Sequence, residues 1–131
     1  DYIISEITFL RGRERWELMN SIGIRDLEKS IKLAKSIIDS SESMVSMIFP
    51  LMTFFQEILF FKMNDGTFIK PNSYIPLSPS ILNNLGDFSR YYRKSEIELA
   101  IRKLKEIEIK QKTSNSDDET EFISFLYNAI G

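Results

Sequence analysis

The chain contains no cysteine and no histidine among its 131 residues. Without cysteine, disulfide bonds and thiolate metal sites are excluded. Without histidine, the commonest general base and the commonest metal ligand are both missing. An enzyme with this composition would have to use carboxylates, lysine or tyrosine. We therefore expect no catalytic residues, no metal site and no cofactor in this chain.

The chain also has few glycines and a small net charge. The five glycines do not stand at the spacing of a phosphate-binding or dinucleotide-binding loop. The acidic run at residues 117–121 lacks the alternating ligands and the central glycine of an EF-hand, so we interpret it as the start of a helix. The net charge is only −2, which argues against a protein that binds nucleic acid mainly by neutralising phosphates.

Long uninterrupted apolar runs are also missing. The most apolar stretch, residues 44–63, is interrupted by Pro50 and Glu57, and a charged residue inside a membrane helix costs roughly 3 kcal/mol. Residues 1–12 lack the positive region and the cleavage motif of a signal peptide, and we expect them to be a tail or linker from a preceding domain of a longer protein. These features predict a cytoplasmic domain over residues 13–131 that does not enter a membrane.

What is present predicts an all-α fold, a single-domain bundle of about six helices. A first short helix ends at Gly23, a helix stop signal, and Asp26 is the N-cap of the second helix. The third helix, over about residues 42–63, is apolar on every side, so we expect it at the centre of the core with other helices all around it. Pro50 inside this helix predicts a kink, because proline cannot donate a backbone hydrogen bond.

The second half of the chain begins with a proline-rich loop over residues 66–80. Such a long loop is uncommon inside a compact domain and tends to be functional or mobile. Two segments near it, residues 67–69 and 74–77, could pair as short strands. Residues 79–92 then predict the fourth helix.

Two capping boxes mark the starts of the last two helices. In a capping box, a serine caps the helix and a glutamate three residues later bonds back to the backbone N–H of the cap. Ser95 and Glu98 predict the start of the fifth helix, and its predicted inward residues are Ile97, Ala100, Ile101, Leu104 and Ile107. Ser116 and Glu119 predict the start of the sixth, where acidic residues are favourable beside the positive helix end. The predicted inward residues of the sixth helix are Phe122, Phe125, Leu126, Ala129 and Ile130.

Glu108 is an oddity within the fifth helix. It shares one position of an otherwise apolar stripe with Ile107, and Lys112 follows one turn later. A catalytic acid is disfavoured because no histidine and no convergent polar group accompanies it. We interpret Glu108 as a partly buried structural acid that pairs with Lys112 or accepts backbone N–H bonds, and we expect Glu108→Ala to destabilise the fold more than Glu106→Ala.

Two local clusters combine basic and aromatic side chains. The first is Arg11, Arg13, Arg15 and Trp16, and the second is Arg90, Tyr91, Tyr92, Arg93 and Lys94. Their cations could contact phosphates while exposed aromatic rings stack on bases. The alternative is the solvated rim of a turn. From the second cluster we keep these candidate contacts to nucleic acid or to another subunit: Arg90, Tyr91, Tyr92 and Arg93.

The order of these features resembles the C-terminal domain of the delta subunit of the bacterial DNA polymerase III clamp loader, over roughly residues 16–130. That family carries a Phe-Arg-x-Leu-Leu-x-x-Lys motif in its long apolar helix, and Gln56 replaces the arginine here. The family also shows a later helix with leucine, alanine, leucine, aspartate and lysine at fixed steps, where Glu108 stands for the aspartate. The matching residues are Phe55, Ile58, Leu59 and Lys62 in the first motif, and Ile97, Ala100, Leu104, Glu108 and Lys112 in the second.

The resemblance implies a non-catalytic oligomerisation domain that joins a pentameric collar with gamma/tau-type and delta-prime-type subunits. The parent protein would belong to the DNA polymerase III holoenzyme, a DNA-directed DNA polymerase, and would reach the sliding clamp only through an N-terminal module that this chain lacks. A weak contact to primer-template DNA is a further expectation. Family members usually carry a small helix where residues 66–80 stand here. The alternative is a free-standing helical adaptor whose apolar groove lies beside residues 44–52.

Overall fold

The computed structural model describes residues 14–39, 45–64, 77–113 and 118–131. Every regular element in these ranges is an α-helix and none is a strand, so the predicted all-α fold is confirmed. None of the described helices combines the length and the apolar composition needed to cross a membrane. The helices are α1 (residues 14–23), α2 (Leu27–Asp39), α3 (Val45–Met63), α4 (Pro79–Asn83), α5 (Leu85–Arg90), α6 (Lys94–Thr113) and α7 (Asp118–Ile130).

The core forms around one side of α3. This helix packs most extensively against α6 and also against α5, while α7 packs against both α6 and α2. Phe55 is fully buried, and its ring meets the rings of Phe54, Tyr92 and Phe125 edge-on, with centroids 5.3, 5.6 and 6.4 Å away. Edge-to-face pairs contribute stability beyond the area that they bury. Of the residues expected to face inward on α6 and α7, Ile101 is half-buried and all the others are buried: Ile97, Ala100, Leu104, Ile107, Phe122, Phe125, Leu126, Ala129 and Ile130.

The outer side of α3 differs from the prediction. Phe49 is 68% exposed and Met63 is 62% exposed, so the expectation that α3 is surrounded on every side is wrong. The apolar composition correctly predicted a core helix, but it could not indicate that one side of this helix would stay open to solvent.

In the turn between α1 and α2, the left-handed residue is Arg25 and not a glycine. The Asp26 N-cap is confirmed, since its Oδ1 accepts from the Lys29 backbone N–H at 3.1 Å. The helix does end at Gly23, but the left-handed residue is Arg25, with φ of 63°. The Arg25 N–H bonds to the Ile22 carbonyl and the Asp26 N–H to the Ser21 carbonyl, which is the Schellman pattern normally completed by glycine.

The predicted fourth helix is two short helices. Ser78 caps α4 by accepting from the Ile81 N–H, and Pro79 occupies the first helical position. Asn84 separates α4 from α5, with φ of −105° and ψ of 9°. Its side-chain amide donates to the Ser80 carbonyl at 2.8 Å. Asparagine competes in this way for backbone groups and favours turns over helix interiors.

Several expectations fall outside the described residues. These expectations concern the tail at residues 1–12, the side chains of Arg11 and Arg13, and the capping box of Ser116. They also concern the strand pair at residues 67–69 and 74–77, of which only Leu77 is described. The side chain of Lys112 is outside the described part too, so its pairing with Glu108 stays a prediction.

Candidate interaction surface

Arg25 lies where the ends of several helices meet. Its guanidinium forms a two-pronged ion pair with Glu96, with Nη2 to Oε2 at 2.6 Å and Nη1 to Oε1 at 3.1 Å. Nη1 also donates to the Tyr91 carbonyl at 2.8 Å, and Nε lies 3.5 Å from the Ile130 carbonyl. We call these residues, together with Tyr92, the Arg25 junction.

The charges of the Arg25 junction complement the helix dipoles. Tyr91 is the C-cap of α5 and Ile130 is the last residue of α7, so the guanidinium faces the negative ends of two helices. Glu96 stands in the first turn of α6, at a positive end. Each placement is favourable because unsatisfied C=O groups gather at a helix C-terminus and unsatisfied N–H groups at its N-terminus.

Glu96 also determines how α6 begins. The helix starts at Lys94, and Oε1 of Glu96 accepts from the Arg93 backbone N–H at 2.8 Å. Glu96 thus supplies the glutamate arm of a capping box around Arg93. The predicted box of Ser95 and Glu98 is wrong, because both residues already lie within the helix.

Tyr92 belongs to the core rather than to the surface. It is 2% exposed, and its hydroxyl donates to the Ile22 carbonyl near the end of α1. The Arg25 guanidinium carbon lies 5.0 Å from the centre of its ring, which is a cation–π distance. The expectation that Tyr92 contacts nucleic acid or another subunit is therefore wrong, since its ring is already packed.

Hydrogen bonding, charge and burial shift the pKa values of Glu96 and Tyr92 in opposite directions. The Arg25 guanidinium, followed by the backbone N–H of Arg93, lowers the pKa of Glu96 from 4.5 to about 2. Burial raises the pKa of the Tyr92 hydroxyl far above its ordinary value of 10.0. Glu96 is therefore ionised and Tyr92 neutral at pH 7, as their hydrogen bonds require.

The Glu96 ion pair predicts a pH-dependent stability. A carboxyl whose pKa falls on folding stabilises the fold fully above its unfolded pKa, here 4.5, and loses this effect as the pH drops. We expect wild type to exceed Glu96→Gln in free energy of unfolding by about 1 kcal/mol at pH 7, since solvent screens a partly exposed pair. This difference should shrink between about pH 5 and pH 2. Urea unfolding across that range measures it, and a constant difference would contradict the assignment.

The exposed side of the Arg25 junction carries the other predicted contacts. Arg90 and Arg93 are exposed, and Tyr91 is 51% exposed. Beside them is a groove of about 250 Å³. The groove is lined by Asn20, Ile24, Asn84, Asp87, Phe88, Arg90 and Tyr91.

The basic character of this surface is partly cancelled. Arg90 Nη1 lies 3.7 Å from Asp87 Oδ1, and Lys94 Nζ lies 4.0 Å from Glu98 Oε1. Phosphate binding relies on uncompensated cations. A mixed surface with an exposed tyrosine and an apolar rim is more typical of a protein contact, where tyrosine and arginine are enriched.

In the first basic cluster, Trp16 is half-buried and packs against the core. Its ring therefore contributes to folding rather than standing free at the surface.

The remaining predicted site residues are spread over three helices. Lys62 Nζ donates to the Ser89 carbonyl at 2.8 Å, which ties α3 to α5, and Phe55 fills the core from the same helix. Glu108 is half-buried on α6, and Glu119 is exposed near the start of α7. Lys62 and Phe55 therefore act in folding, and these four do not form one site.

The comparison of Glu108 with Glu106 stays a testable prediction. Glu108 is half-buried, whereas Glu106 is exposed and lies 3.7 Å from Lys103 Nζ. An exposed pair of this kind contributes about 0.3–0.5 kcal/mol. We expect Glu108→Ala to lower the melting temperature more than Glu106→Ala, and calorimetry of the two variants measures this. Equal melting temperatures would count against a structural role of Glu108.

Sequence reasoning did not identify Arg25 and Glu96. A left-handed arginine is unexpected because glycine normally fills that position, and serine is a stronger N-cap signal than arginine. The available signal was a glutamate three residues after Arg93.

No group of three or more acidic side chains that could hold a metal ion is found in the described part of the chain. The chain matches no protein-family model, no curated protein and no solved structure.

Proposed function

We propose that this chain is a non-catalytic oligomerisation domain of the clamp-loader collar type. It binds sister subunits of a cytoplasmic assembly that loads the sliding clamp during DNA replication. Its partners are gamma/tau-type and delta-prime-type subunits, and any contact with primer-template DNA is weak. The domain itself carries out no reaction.

The observation that carries the proposal is the surface beside the Arg25 junction. Tyr91 and Ile24 are 51% and 40% exposed at the rim of the same groove, next to Arg90. Exposed apolar side chains grouped beside a cation are typical of protein contacts. The junction below them fixes the ends of α1, α5, α6 and α7, and a contact surface on rigid elements loses little entropy on binding.

The resemblance to the collar domain adds a second line of support. Its motif residues have structural roles that a helical assembly domain requires: Phe55 is fully buried, and Lys62 bonds to the Ser89 carbonyl. The helix that carries Ala100 and Leu104 packs against the helix that carries Phe55. These roles suit a rigid scaffold whose function lies in its outer surface.

Binding to the purified gamma/tau-type and delta-prime-type subunits of the source organism tests the proposal. We expect surface plasmon resonance to detect association, and Tyr91→Ala to weaken it at least tenfold, because exposed tyrosines at interface centres carry much of the binding energy. Tyr127→Ala on α7 is the matched control, since Tyr127 is 58% exposed and lies outside the groove. No association, or equal loss in both variants, would overturn the proposal.

A helical adaptor remains the second candidate because of Phe49. Its ring is exposed within the segment where the groove was expected, although the neighbouring Met47 and Leu51 are buried. An adaptor would bind an amphipathic helix along this side of α3. This candidate would be favoured if the chain bound such a helix in the absence of clamp-loader subunits. The binding should also be lost when Phe49 is replaced by alanine.

A further inference from the structure

The groove beside the Arg25 junction lies between two walls. Asn20 and Ile24 form one wall, at the end of α1 and in the turn after it, and α5 with its flanking residues forms the other. Phe88, which is 1% exposed, gives the groove an apolar floor, whereas Ile24 and Tyr91 are exposed at its rim. The volume of about 250 Å³ is below the roughly 300–1,000 Å³ of small-molecule sites. The groove therefore suits one apolar side chain and the backbone beside it better than a cofactor.

Two asparagine amides with spare hydrogen-bonding groups line this groove. Asn20 is half-buried, and its side chain makes no hydrogen bond within the described part of the chain. Asn84 uses one amide N–H, which donates to the Ser80 carbonyl at 2.8 Å, and keeps its Oδ1 and its second N–H. A carboxamide offers N–H donors and a carbonyl acceptor, which are the groups that a peptide backbone also offers. The two walls can thus bond to a peptide backbone from opposite sides.

These amides favour an extended backbone over a helical one. Inside a helix each N–H is bonded to the C=O four residues earlier, so few backbone groups are left for Asn20 and Asn84. An extended segment keeps its N–H and C=O groups available, and its successive side chains point to opposite sides. When one apolar side chain enters the groove above Phe88, the residues on either side of it lie over the rim.

The rim carries more positive than negative charge, although the whole chain has a net charge of −2. Two of its cations, Arg90 and Lys94, face a carboxylate only at 3.7 and 4.0 Å. Both distances exceed a hydrogen bond, and exposed pairs of this kind contribute little. The side chain of Arg93 is exposed and has no carboxylate within ion-pair distance in the described ranges. A carboxylate on an incoming segment is therefore attracted to this rim, and a lysine is repelled.

The groove is less suited to nucleic acid than to an acidic peptide. Asp87 lines the groove and repels phosphate, and binding to a strand of phosphates relies on several uncompensated cations. A peptide has to place only one carboxylate beside Arg90 or Arg93, whereas a nucleic acid carries a phosphate at every nucleotide.

We propose that the groove binds an extended segment of a partner protein in which an apolar residue stands next to an acidic one. The amides of Asn20 and Asn84 bond to its backbone. Its apolar side chain packs on Phe88, and its carboxylate meets Arg90 or Arg93. This inference deepens the proposed function and rests on it, since the same groove is the contact for sister subunits. It adds what such a subunit has to present, which is a short extended segment and not the face of a helix.

Peptide titration followed by NMR tests the proposal. The probes are acetyl-Gly-Glu-Leu-Glu-Gly-amide and its basic counterpart, acetyl-Gly-Lys-Leu-Lys-Gly-amide, each added to the ¹⁵N-labelled chain. We expect the acidic peptide to shift the side-chain amide signals of Asn20 and Asn84, and to bind about tenfold more tightly than the basic peptide because of the charge of the rim. An acidic peptide that shifts neither signal, or equal affinity for the two peptides, would overturn the proposal. Shifts caused by a short single-stranded oligothymidylate but not by the acidic peptide would also overturn it, in favour of a nucleic-acid surface.

Asn20→Ala tests the role of the amide. Alanine has the highest helix propensity and is compatible with α1, so the variant should fold, which circular dichroism verifies. We expect it to bind the acidic peptide about fivefold more weakly, the effect of losing one hydrogen bond. Asn83→Ala is the matched control, because Asn83 is exposed and does not line the groove. Equal affinities of the two variants would contradict the contact between Asn20 and the peptide backbone.

Arg90→Glu tests the role of the charge. We expect this variant to bind the basic peptide more tightly than the acidic one, because the reversal turns the rim negative. Arg102→Glu on α6 is the matched control, since Arg102 is also exposed but lies outside the lining of the groove, and it should keep the preference of the wild type. An unchanged preference in Arg90→Glu, or the same reversal in both variants, would contradict the proposed charge complementarity.

Failure of this inference and failure of the collar function can be distinguished. Sister subunits that lose affinity for Tyr91→Ala, but keep full affinity for Asn20→Ala and Arg90→Glu, would support the collar function and overturn the extended segment. Peptide binding that depends on Asn20 and Arg90, without any binding of the subunits, would support the specificity of the groove and overturn the collar function.

Discussion

Replacement of Phe55 by alanine is expected to lower the free energy of unfolding by about 3–5 kcal/mol. The ring is fully buried at the centre of the aromatic cluster. Removing it loses the transfer energy of the ring and leaves a cavity between α3, α6 and α7. The surrounding helices cannot close this cavity without moving, because several other aromatic rings line it.

Urea unfolding of Phe55→Ala measures this loss, and Phe49→Ala is its matched control. Both substitutions remove a phenylalanine ring from α3, but Phe49 is 68% exposed. We expect Phe49→Ala to change the free energy of unfolding by no more than about 0.5 kcal/mol. Comparable losses in the two variants would show that α3 is buried on both sides.

Gly23→Ala is expected to destabilise the fold by about 1–3 kcal/mol. A Cβ at Gly23 would lie 2.6 Å from Cδ1 of Phe88 and 2.8 Å from two further atoms of that ring. Phe88 is itself buried against Phe54, so its ring cannot move away freely. The clash outweighs the gain of about 1 kcal/mol that alanine normally brings in a helix.

Thermal unfolding of Gly23→Ala tests this effect, with Gly86→Ala as the control. A Cβ at Gly86 would lie 3.3 Å from Cζ of the half-buried Phe61, so a small shift of that ring accommodates it. Phe88→Leu provides a second check, because a smaller side chain at position 88 should reduce the cost of Gly23→Ala. Such non-additivity is expected of residues in direct contact. A stabilised Gly23→Ala would contradict the close approach of α1 and α5.

The local pattern of the sequence determined most of the helices and their buried faces. Apolar spacing predicted the inward sides of α6 and α7, and the composition of residues 42–63 predicted the core helix. The Asp26 cap could also be predicted from the sequence, because a cap bonds to a backbone group three residues away. The apolar residues recur every three or four positions and the cap spans three residues, so each pattern lies within a short stretch of the chain. Their periodicity is therefore visible without the fold.

Only the tertiary structure decided which residues form the candidate surface. Arg25 and Glu96 are 71 residues apart, and Tyr92 is 70 residues from the carbonyl it bonds, so no local pattern connects them. Tyr91 and Tyr92 are identical neighbours in the sequence, yet one is exposed and the other is buried. Their environments differ because the turn between α5 and α6 directs one ring toward Phe55 and Arg25 and the other toward solvent. The sequence alone determined most of the helices, while the packing of their ends determined which side chains remain available for contact.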